Sequence, residues 1–548
     1  MKRLLIVGGV AGGASCAARA RRLSEHTEII IFERGEFVSF ANCGLPYYVG
    51  NVITKEENLL VASPQMFKGW FNIEVRTENN VCSINREKKE IEVQDLKTGK
   101  IYKESYDKLL LSPGASPIKP KLDGIDLPGI FTLRNIADSR NIINWIKQKH
   151  IKRAVVVGGG FIGLEMVENL KRHGLDVSII EMQPQVMPPV DPEIASFIHE
   201  HLKKYDISLL LKTSVTGFKQ EKDGSIGILT NTGKVIQSDI VVLSIGVKPE
   251  IDLAKQAGLS IGKLGGIEVN EYMQTSDENI YAVGDAVQVK DYISGIPALI
   301  PLAGPANRQG RIVADVLFGK DPLPKFRGVQ GTSICGILGL TVAFTGLSEK
   351  ALKRNKMNEY EKIYLHPDNH AGYYPDAKTI TMKLIFSQSD GKILGAQAVG
   401  MAGVDKRIDV ISMAIQKNGT VFDLEEAELC YAPPYGSAKD PVNMAGMIAS
   451  NSIRGYSPVA HWENINDNSP YIIDVRTVFE YSKSHLQGSI NIPLHQIRDK
   501  ISEIPKDREI LTYCVVGKRS YIAARILRQY GFNAKGISGG FILYNSLK

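Results

Sequence analysis

A run of strand, glycine cluster, helix and second strand occurs twice in this chain, about 150 residues apart, and nothing else in the sequence narrows the fold as far. The first copy reads as a strand from Arg3 to Val7, then Gly8, Gly9, Gly12 and Gly13, a helical stretch to Leu23, and an apolar strand from Glu28 to Phe32. The second repeats this as Arg153 to Val157, then Gly158, Gly159, Gly160 and Gly163, a helix to about His173, and a strand from Asp176 to Ile180. Each copy is a β-α-β unit. Its glycines let the chain turn sharply after the strand and let the backbone approach a pyrophosphate on the positive end of the helix. The expected class is α/β, with two Rossmann-like dinucleotide-binding domains.

The two copies differ in register. Gly8 and Gly13 keep the outer places of G-x-G-x-x-G, while Val10 holds the middle place and Ala11 and Gly12 complete the loop. Glu33 ends the second strand, where an acid takes a pair of ribose hydroxyls, and Arg34 follows it. Far downstream, TSDENIYAVGD from Thr275 to Asp285 is a strand leading to Gly284 and Asp285. It resembles the second flavin fingerprint of two-dinucleotide flavoproteins, in which the aspartate holds the ribityl chain. The pair of motifs implies FAD. In the second copy Gly158, Gly160 and Gly163 are in full register, with Phe161 and Ile162 opening the helix, so this is the nicotinamide site. Gly114 and Gly246 are assigned to the cofactor sites as well. Glu181 ends the second strand, and no Lys or Arg occurs from there to Leu202 to seat a 2′-phosphate, so NADH is favoured and NADPH stays open.

At 548 residues the chain exceeds one core, and its texture changes along its length. Segments 1–118 and 245–325 are assigned to the FAD domain and 119–244 to the nicotinamide domain. From about Phe326 antiparallel strands around Asp390 and Gly391 and a helix near Val404 mark an α+β domain, 326–452. After the turn-rich joint Gly455 to Pro458, residues 457–548 form a tail long enough to fold alone. A net charge of +7 is modest for this length and is not gathered in one block, which argues against nucleic acid. No apolar run is long enough to span a membrane. The N-terminal strand passes into glycines and arginines without a cleavage pattern. The six cysteines lie far apart without metal spacing, which fits reduced thiols in a cytoplasmic setting. His366, His370 and His485 also lack partner spacing, so no metal is expected. Cys16, Cys82, Cys335 and Cys430 sit in apolar contexts and read as small buried hydrophobes.

The reactive centre is Cys43, in the stretch S-F-x-N-C-G-L-P-Y from Ser39 to Tyr47. A cysteine at a helix start has its thiolate stabilised by unpaired N–H groups and the helix dipole. Many flavin disulfide reductases carry a second cysteine where this chain has Tyr48, so the local disulfide is excluded. Cys43 must instead cycle through a sulfenic acid, a persulfide or a mixed disulfide. Residues 1 to 450 resemble the single-cysteine group that holds NADH oxidase, NADH peroxidase and coenzyme A disulfide reductase. Oxidases and peroxidases of that group carry a histidine in the first glycine loop, where this chain has Ala11. The coenzyme A branch is matched at H-A-x-Y-Y-P and Y-A-P-P-Y, which contain Tyr373 and Tyr431. The resemblance implies that both tyrosines come from the partner of a homodimer with shared active sites and assist at Cys43. It implies further that Ser15, Arg19, Arg22, Ser39, Asn42, Asn307 and Lys439 contact coenzyme A. A basic residue of that family is replaced by Phe71.

The tail carries YIIDVR (Tyr471 to Arg476), HLQGSINIP (His485 to Pro493) and CVVGKRS (Cys514 to Ser520) before a helix, and it resembles a single rhodanese domain. A cysteine after a strand, followed by successive amides that open a helix, makes a basket for an anionic sulfur species. Arg519 closes the basket with positive charge. In that family a loop of this length suits a sulfane sulfur, so Cys514 is expected to carry a persulfide; the rival reading is an inactive interaction module. The functional expectation is an FAD-dependent NAD(P)H reductase of coenzyme A disulfide, persulfide or polysulfide, joined to sulfur transfer. NADH oxidase or peroxidase activity and a redox sensor without turnover are the alternatives.

Overall fold

The computed structural model describes residues 1–148, 151–465 and 470–548. They form two compact units, Met1–Met182 with Leu210–Gly331 and Gln183–Leu209 with Thr332–Lys548.

In the first unit the strand Arg3–Val7 pairs in parallel with Glu28–Glu33 on one side and Lys108–Leu111 on the other. Ile280–Ala282 and Glu74–Thr77 extend the sheet at its two ends, also in parallel. Leu4, Leu5 and Ile6 have no exposure at all, because they share one buried cluster with Ala14, Ala17 and Ala20 of the helix Ala11–Leu23 and with Val81, Ile91 and Val93 of the antiparallel strands Asn79–Asn85 and Glu90–Asp95. Ile280–Ala282 joins this sheet only after the strands of the second sheet have intervened in the chain. The second sheet repeats the design: Arg153–Val157 lies between Asp176–Ile180 and Ile240–Leu243, all parallel, with Ile130–Phe131 beyond. Gly13 shows why these helices need glycine. A Cβ there would stand 1.9 Å from the carbonyl oxygen of Gly8, so only glycine lets the helix Ala11–Leu23 pack this close to its strand.

The second unit holds an antiparallel sheet in the order Ser333–Ile337, Leu340–Gly346, Ile393–Gly400, Ile380–Ser387 and Tyr360–Leu365. Lys383 lies in its interior with no exposed area. Its ammonium is compensated by Asp191 and Glu349, each at 2.9 Å, and by Glu193 at 3.3 Å. Glu349 also takes Lys362 at 2.8 Å, and Lys362 reaches on to Glu463 in the C-terminal segment. That segment is a parallel sheet ordered Val459–Ala460, Ala534–Ile537, Ile510–Tyr513, Tyr471–Asp474 and Ile490–Asn491. Among the described residues no helix is long and apolar enough to cross a membrane, and no group of His, Cys, Asp and Glu could hold a metal ion.

The buried cluster sets two expectations. Replacing Lys383 with Met leaves Asp191 and Glu193 without their cation while Glu349 keeps Lys353 and Lys362, and loss of one partner of a buried pair costs roughly 3–5 kcal/mol; the urea midpoint of the second unit should fall accordingly. Burial alone would raise the Glu349 carboxyl, but Lys383, Lys353 and Lys362 outweigh it and hold it far below the usual range. Its stabilisation is therefore complete above the ordinary carboxylate range and is lost as pH falls toward the depressed value, which acid titration of unfolding will show.

Candidate active site

The first glycine loop opens onto a cavity of about 720 Å³, bounded among others by Val10, Glu33, Arg34, Gly114, Gly284 and Asp285. That volume is in the range of about 300–1,000 Å³ found for cofactor pockets. Its chemistry fits a dinucleotide. The helix Ala11–Leu23 has no acid in its first turn, so its N-terminal amides keep their positive potential for a pyrophosphate. Val10, which takes the middle place, sits at φ −94 and ψ −118, outside the left-handed region that favours glycine. Glu33 accepts the N–H groups of Gly9 at 2.9 Å and Gly35 at 2.8 Å, so it shapes the loop as well as facing the cavity. A carboxylate has about four acceptor sites, which leaves capacity for a sugar hydroxyl. At Asp285 burial raises the carboxyl while Arg134 lowers it. Sequence reasoning named Arg34 but missed Arg134 and Glu250, which stand beside Gly114. Arg134 and Arg34 both pair with Glu250, at 3.0 and 3.1 Å. Burial opposes ionisation of Glu250, yet Ser116, Arg34 and Arg134 hold it down to about 2. Arg134 and Glu250 are 116 positions apart in the chain, so no local pattern announces them.

In the second glycine loop a Cβ on Gly160 would meet nothing within 4 Å, so no protein atom demands glycine there; the open space is where a pyrophosphate would approach. Gly163 repeats Gly13, with a Cβ that would stand 2.0 Å from the Gly158 carbonyl oxygen. Phe161 and Ile162 begin the helix Phe161–Arg172, and Gly246, at φ +116, gives its carbonyl to the Ile118 N–H. Glu181 is buried and accepts the Gly159 N–H at 2.7 Å, the same part that Glu33 plays.

Cys43 lies in a short turn, Asn42–Gly44, directly before the five-residue helix Leu45–Val49, and its side chain is exposed. The expected thiolate stabilisation is not what the structure shows. The Cys43 N–H goes to the Asn42 side-chain oxygen at 3.0 Å and the Gly44 N–H to the Ala41 carbonyl, so the amides are already engaged, and the helix is too short for a large dipole. Desolvation raises the thiol first, then the Glu165 and Asp285 carboxylates; its own backbone N–H pulls the other way. Since the residue is open to solvent, the two fixed carboxylates are the part that distinguishes this thiol from a free one. Glu165, on the Phe161–Arg172 helix, accepts a hydrogen bond from the Tyr47 hydroxyl at 3.2 Å. Burial pushes its carboxyl up to about 7, against the Tyr47 bond. The only sequence signal for Glu165 was an acid two places after Gly163 in an otherwise apolar helix turn.

Of the residues assigned to coenzyme A, the Ser15 hydroxyl donates to the Asn307 side-chain oxygen, which brings those two together. Arg19 is instead ion-paired to Asp315 at 2.7 Å, and Arg22 lies over the Phe71 ring at 5.4 Å, so Phe71 receives a cation where its family counterpart supplies one. Ser39, at φ +48, donates its N–H to the Gly9 carbonyl, next to the loop. Lys439 is exposed. In the second unit the Tyr373 and Tyr431 hydroxyls are 2.9 Å apart and both rings are exposed, which the sequence separation of these residues conceals. The bond from Tyr431 raises the Tyr373 hydroxyl. Cys430, beside Tyr431, is exposed, and Cys82 is half-buried at the cavity wall; the expectation that both are buried hydrophobes is corrected, because Cys430 lies in a loop between two helices and Cys82 lines the open cavity. Cys16 and Cys335 are buried as expected.

Cys514 follows the strand Ile510–Tyr513 and is fully buried, with the Gly517 N–H directed at its sulfur at 3.2 Å. Gly517 sits at φ +103, a conformation that turns this amide inward, and the helix Lys518–Gln529 starts after it. Arg519 does flank the basket, but its charge is shared: both outer nitrogens bind Glu480, each at 2.7 Å. Arg519 holds the Glu480 carboxyl down to about 2.

The family model of the pyridine nucleotide-disulphide oxidoreductases matches residues 2–310, and that of their dimerisation domain matches residues 332–440. The chain belongs to the pyridine nucleotide-disulphide oxidoreductase family. The rhodanese-like domain model matches residues 457–546. Among curated members of the family, the coenzyme A disulfide reductase of Staphylococcus haemolyticus is 36% identical over 449 residues, which is 82% of this chain and 99% of that protein. Among solved structures, reduced Bacillus anthracis CoADR-RHD superposes with a TM-score of 0.97 at 49% identity, covering 100% of this chain and 98% of the other. The NAD-dependent persulfide reductase from A. fulgidus gives 0.91 at 36% identity, covering 99% and 100%. A water-forming NADH oxidase from Lactobacillus brevis reaches 0.78 at 26% identity and covers 83% of this chain and 99% of its own. The family resemblance of residues 1 to 450, the rhodanese resemblance of the tail and the α/β class with its dimerisation domain are thereby borne out.

The carboxylate beside Cys43 has a measurable consequence. Above about pH 7 Glu165 is charged and opposes the thiolate. Alkylation of Cys43 against pH, read on its own peptide by mass spectrometry, should carry an inflection near that value. Glu165→Gln should remove the inflection and move the profile to lower pH.

Proposed function

We propose that this chain uses a nicotinamide hydride, by way of FAD, to reduce coenzyme A disulfide and coenzyme A persulfide or polysulfide at Cys43, and that Cys514 transfers sulfane sulfur within the same chemistry. The observation that carries the reading is the pairing of an exposed Cys43, whose disulfide partner place is Tyr48, with a second buried cysteine cradled by the Gly517 amide. Cys43 has to complete its cycle with an external thiol. The likeness to coenzyme A disulfide reductases and to a persulfide reductase supports that thiol being coenzyme A.

Segments 1–118 and 245–325 would hold FAD through the amides of the Ala11–Leu23 helix, Glu33 and Asp285, and segment 119–244 would hold the nicotinamide nucleotide at Gly158 to Gly163. Segments 326–452 and 457–548 are the dimerisation and rhodanese domains of this reading. FAD supplies, when bound, the passage of an electron pair from nicotinamide to sulfur. The Cys43 thiolate attacks one sulfur of coenzyme A disulfide; the S–S bond breaks, one coenzyme A thiolate leaves and takes a proton, and Cys43 is left disulfide-bonded to the other half. Two electrons and a second proton cleave that bond and restore Cys43 with release of the second thiol. With coenzyme A persulfide, attack at the carbon-bound sulfur expels hydrosulfide instead. Tyr373 and Tyr431 are the proton donors of this scheme. Their mutual hydrogen bond and joint exposure support a role toward a partner subunit, in a homodimer with shared sites. Ser15, Asn42 and Asn307 are the polar contacts we assign to coenzyme A, with Arg22 and Lys439 for its phosphates. Glu181 and the absence of Lys or Arg from there to Leu202 favour NADH. Cys514 as a persulfide passes its outer sulfur to a coenzyme A thiol, making the substrate that Cys43 clears, and fusion raises the local concentration of one site for the other. Six cysteines without a disulfide suit a reducing, cytoplasmic setting.

Separate assays of two variants decide this. Cys43→Ser should lower NADH-dependent reduction of coenzyme A disulfide by on the order of 10³-fold or more, as loss of a nucleophile does. Cys514→Ser should leave that rate intact and abolish sulfur transfer from thiosulfate. Equal turnover by parent and both variants refutes the assignment. Tyr373→Phe should cost about 10²-fold in turnover, the scale of a lost general acid.

A further inference from the structure

The loop that carries Cys514 rests on a support that reaches outside its own domain. The carbonyls of Cys514 and Val515 receive the N–H groups of Phe541 at 2.8 Å and Ile542 at 3.1 Å. These two amides follow Gly539 and Gly540, both with positive φ. A Cβ on Gly540 would stand 2.4 Å from the Val515 oxygen and 2.7 Å from the Cys514 oxygen, so the glycine pair is pressed against the underside of the loop. Its other side faces the antiparallel sheet of the second unit. The Tyr364 N–H donates to the Ser538 hydroxyl at 2.9 Å, and a Cβ on Gly539 would come within 3.1 Å of the Tyr364 Cβ.

His366, one residue past the strand Tyr360–Leu365, closes this contact. Its Nε2 lies 2.9 Å from the Gly539 carbonyl oxygen, and its Nδ1 lies 2.9 Å from the Thr381 hydroxyl. A carbonyl only accepts, so Nε2 carries the proton and Nδ1 accepts from Thr381. Burial lowers the imidazole to about 4, against the Gly539 bond, so the ring stays neutral and in this tautomer across the working pH range. The sequence offered His366 only as a histidine without metal partners.

We infer that His366 is a positioning residue for Cys514: by holding the Gly539 carbonyl it fixes the peptide on which the sulfur-transfer loop rests, so the dimerisation sheet sets the geometry of the basket. For its functional consequence this inference rests on the sulfur-transfer role proposed for Cys514.

The test uses the full-length chain and two variants. His366→Ala should raise the rate of Cys514 alkylation by iodoacetamide, read on its own peptide, by about fivefold, the scale of one net hydrogen bond. Sulfur transfer from thiosulfate should fall by a similar factor, in kcat more than in KM. NADH-dependent reduction of coenzyme A disulfide should be unchanged, which also shows that the variant is folded. His366→Gln, whose side-chain N–H can reach the same carbonyl, should restore both readouts. A Cys514 alkylation rate in His366→Ala equal to the parent's overturns the inference, as does a Gln variant that behaves like the Ala one. A parent chain that transfers no sulfur, with the alkylation difference intact, refutes the role proposed for Cys514 and leaves the positioning inference standing.

Discussion

The near contact of two backbones, made twice, underlies everything else in this protein. At Gly13 over the Gly8 carbonyl and at Gly163 over the Gly158 carbonyl, the helix comes so close to its strand that a single added carbon would stand 1.9 or 2.0 Å from oxygen. That approach aims the helix amides, with the positive potential they carry, at the crevice beyond the strand. Glu33 and Glu181 each hold the N–H of a loop glycine, so the acid that marks the end of the second strand also keeps its loop in shape.

Around this frame the electrostatics are set by carboxylates. Cys43 sits among Glu165 and Asp285, which work against a permanently charged thiolate. A thiol held in reserve in this way depends on its surroundings to deprotonate, and Glu165, titrating at about 7, links that step to pH. The sulfur at Cys514 is treated differently. It is buried, met by an amide N–H, and flanked by an arginine whose charge Glu480 already shares.

The second unit ties its two parts together by the same polar means. Lys383 with Asp191, Glu193 and Glu349, then Lys362 with Glu463, carry an ion-pair chain from the antiparallel sheet into the C-terminal segment. His366 and Tyr364 add neutral hydrogen bonds at Ser538 and Gly539. A lone buried charge would be costly, and a satisfied network specifies one arrangement of the two parts.

The glycine spacings, the apolar strands, the lone cysteine before L-P-Y and the C-V-V-G-K-R-S loop were all legible in the chain, because each is a local pattern whose geometry follows from neighbouring residues. Tertiary structure alone decided the charge state around Cys43, since Glu165 and Asp285 come from elements far from it in sequence. It alone brought Arg134 to Glu250 and Tyr373 to Tyr431, and exposed Cys430. It also turned Arg19 to Asp315 and gave His366 a carbonyl to hold. Pattern determines which backbone conformations are open to a segment; which side chains then meet, and what burial does to their charges, depends on contacts between segments that the pattern does not encode.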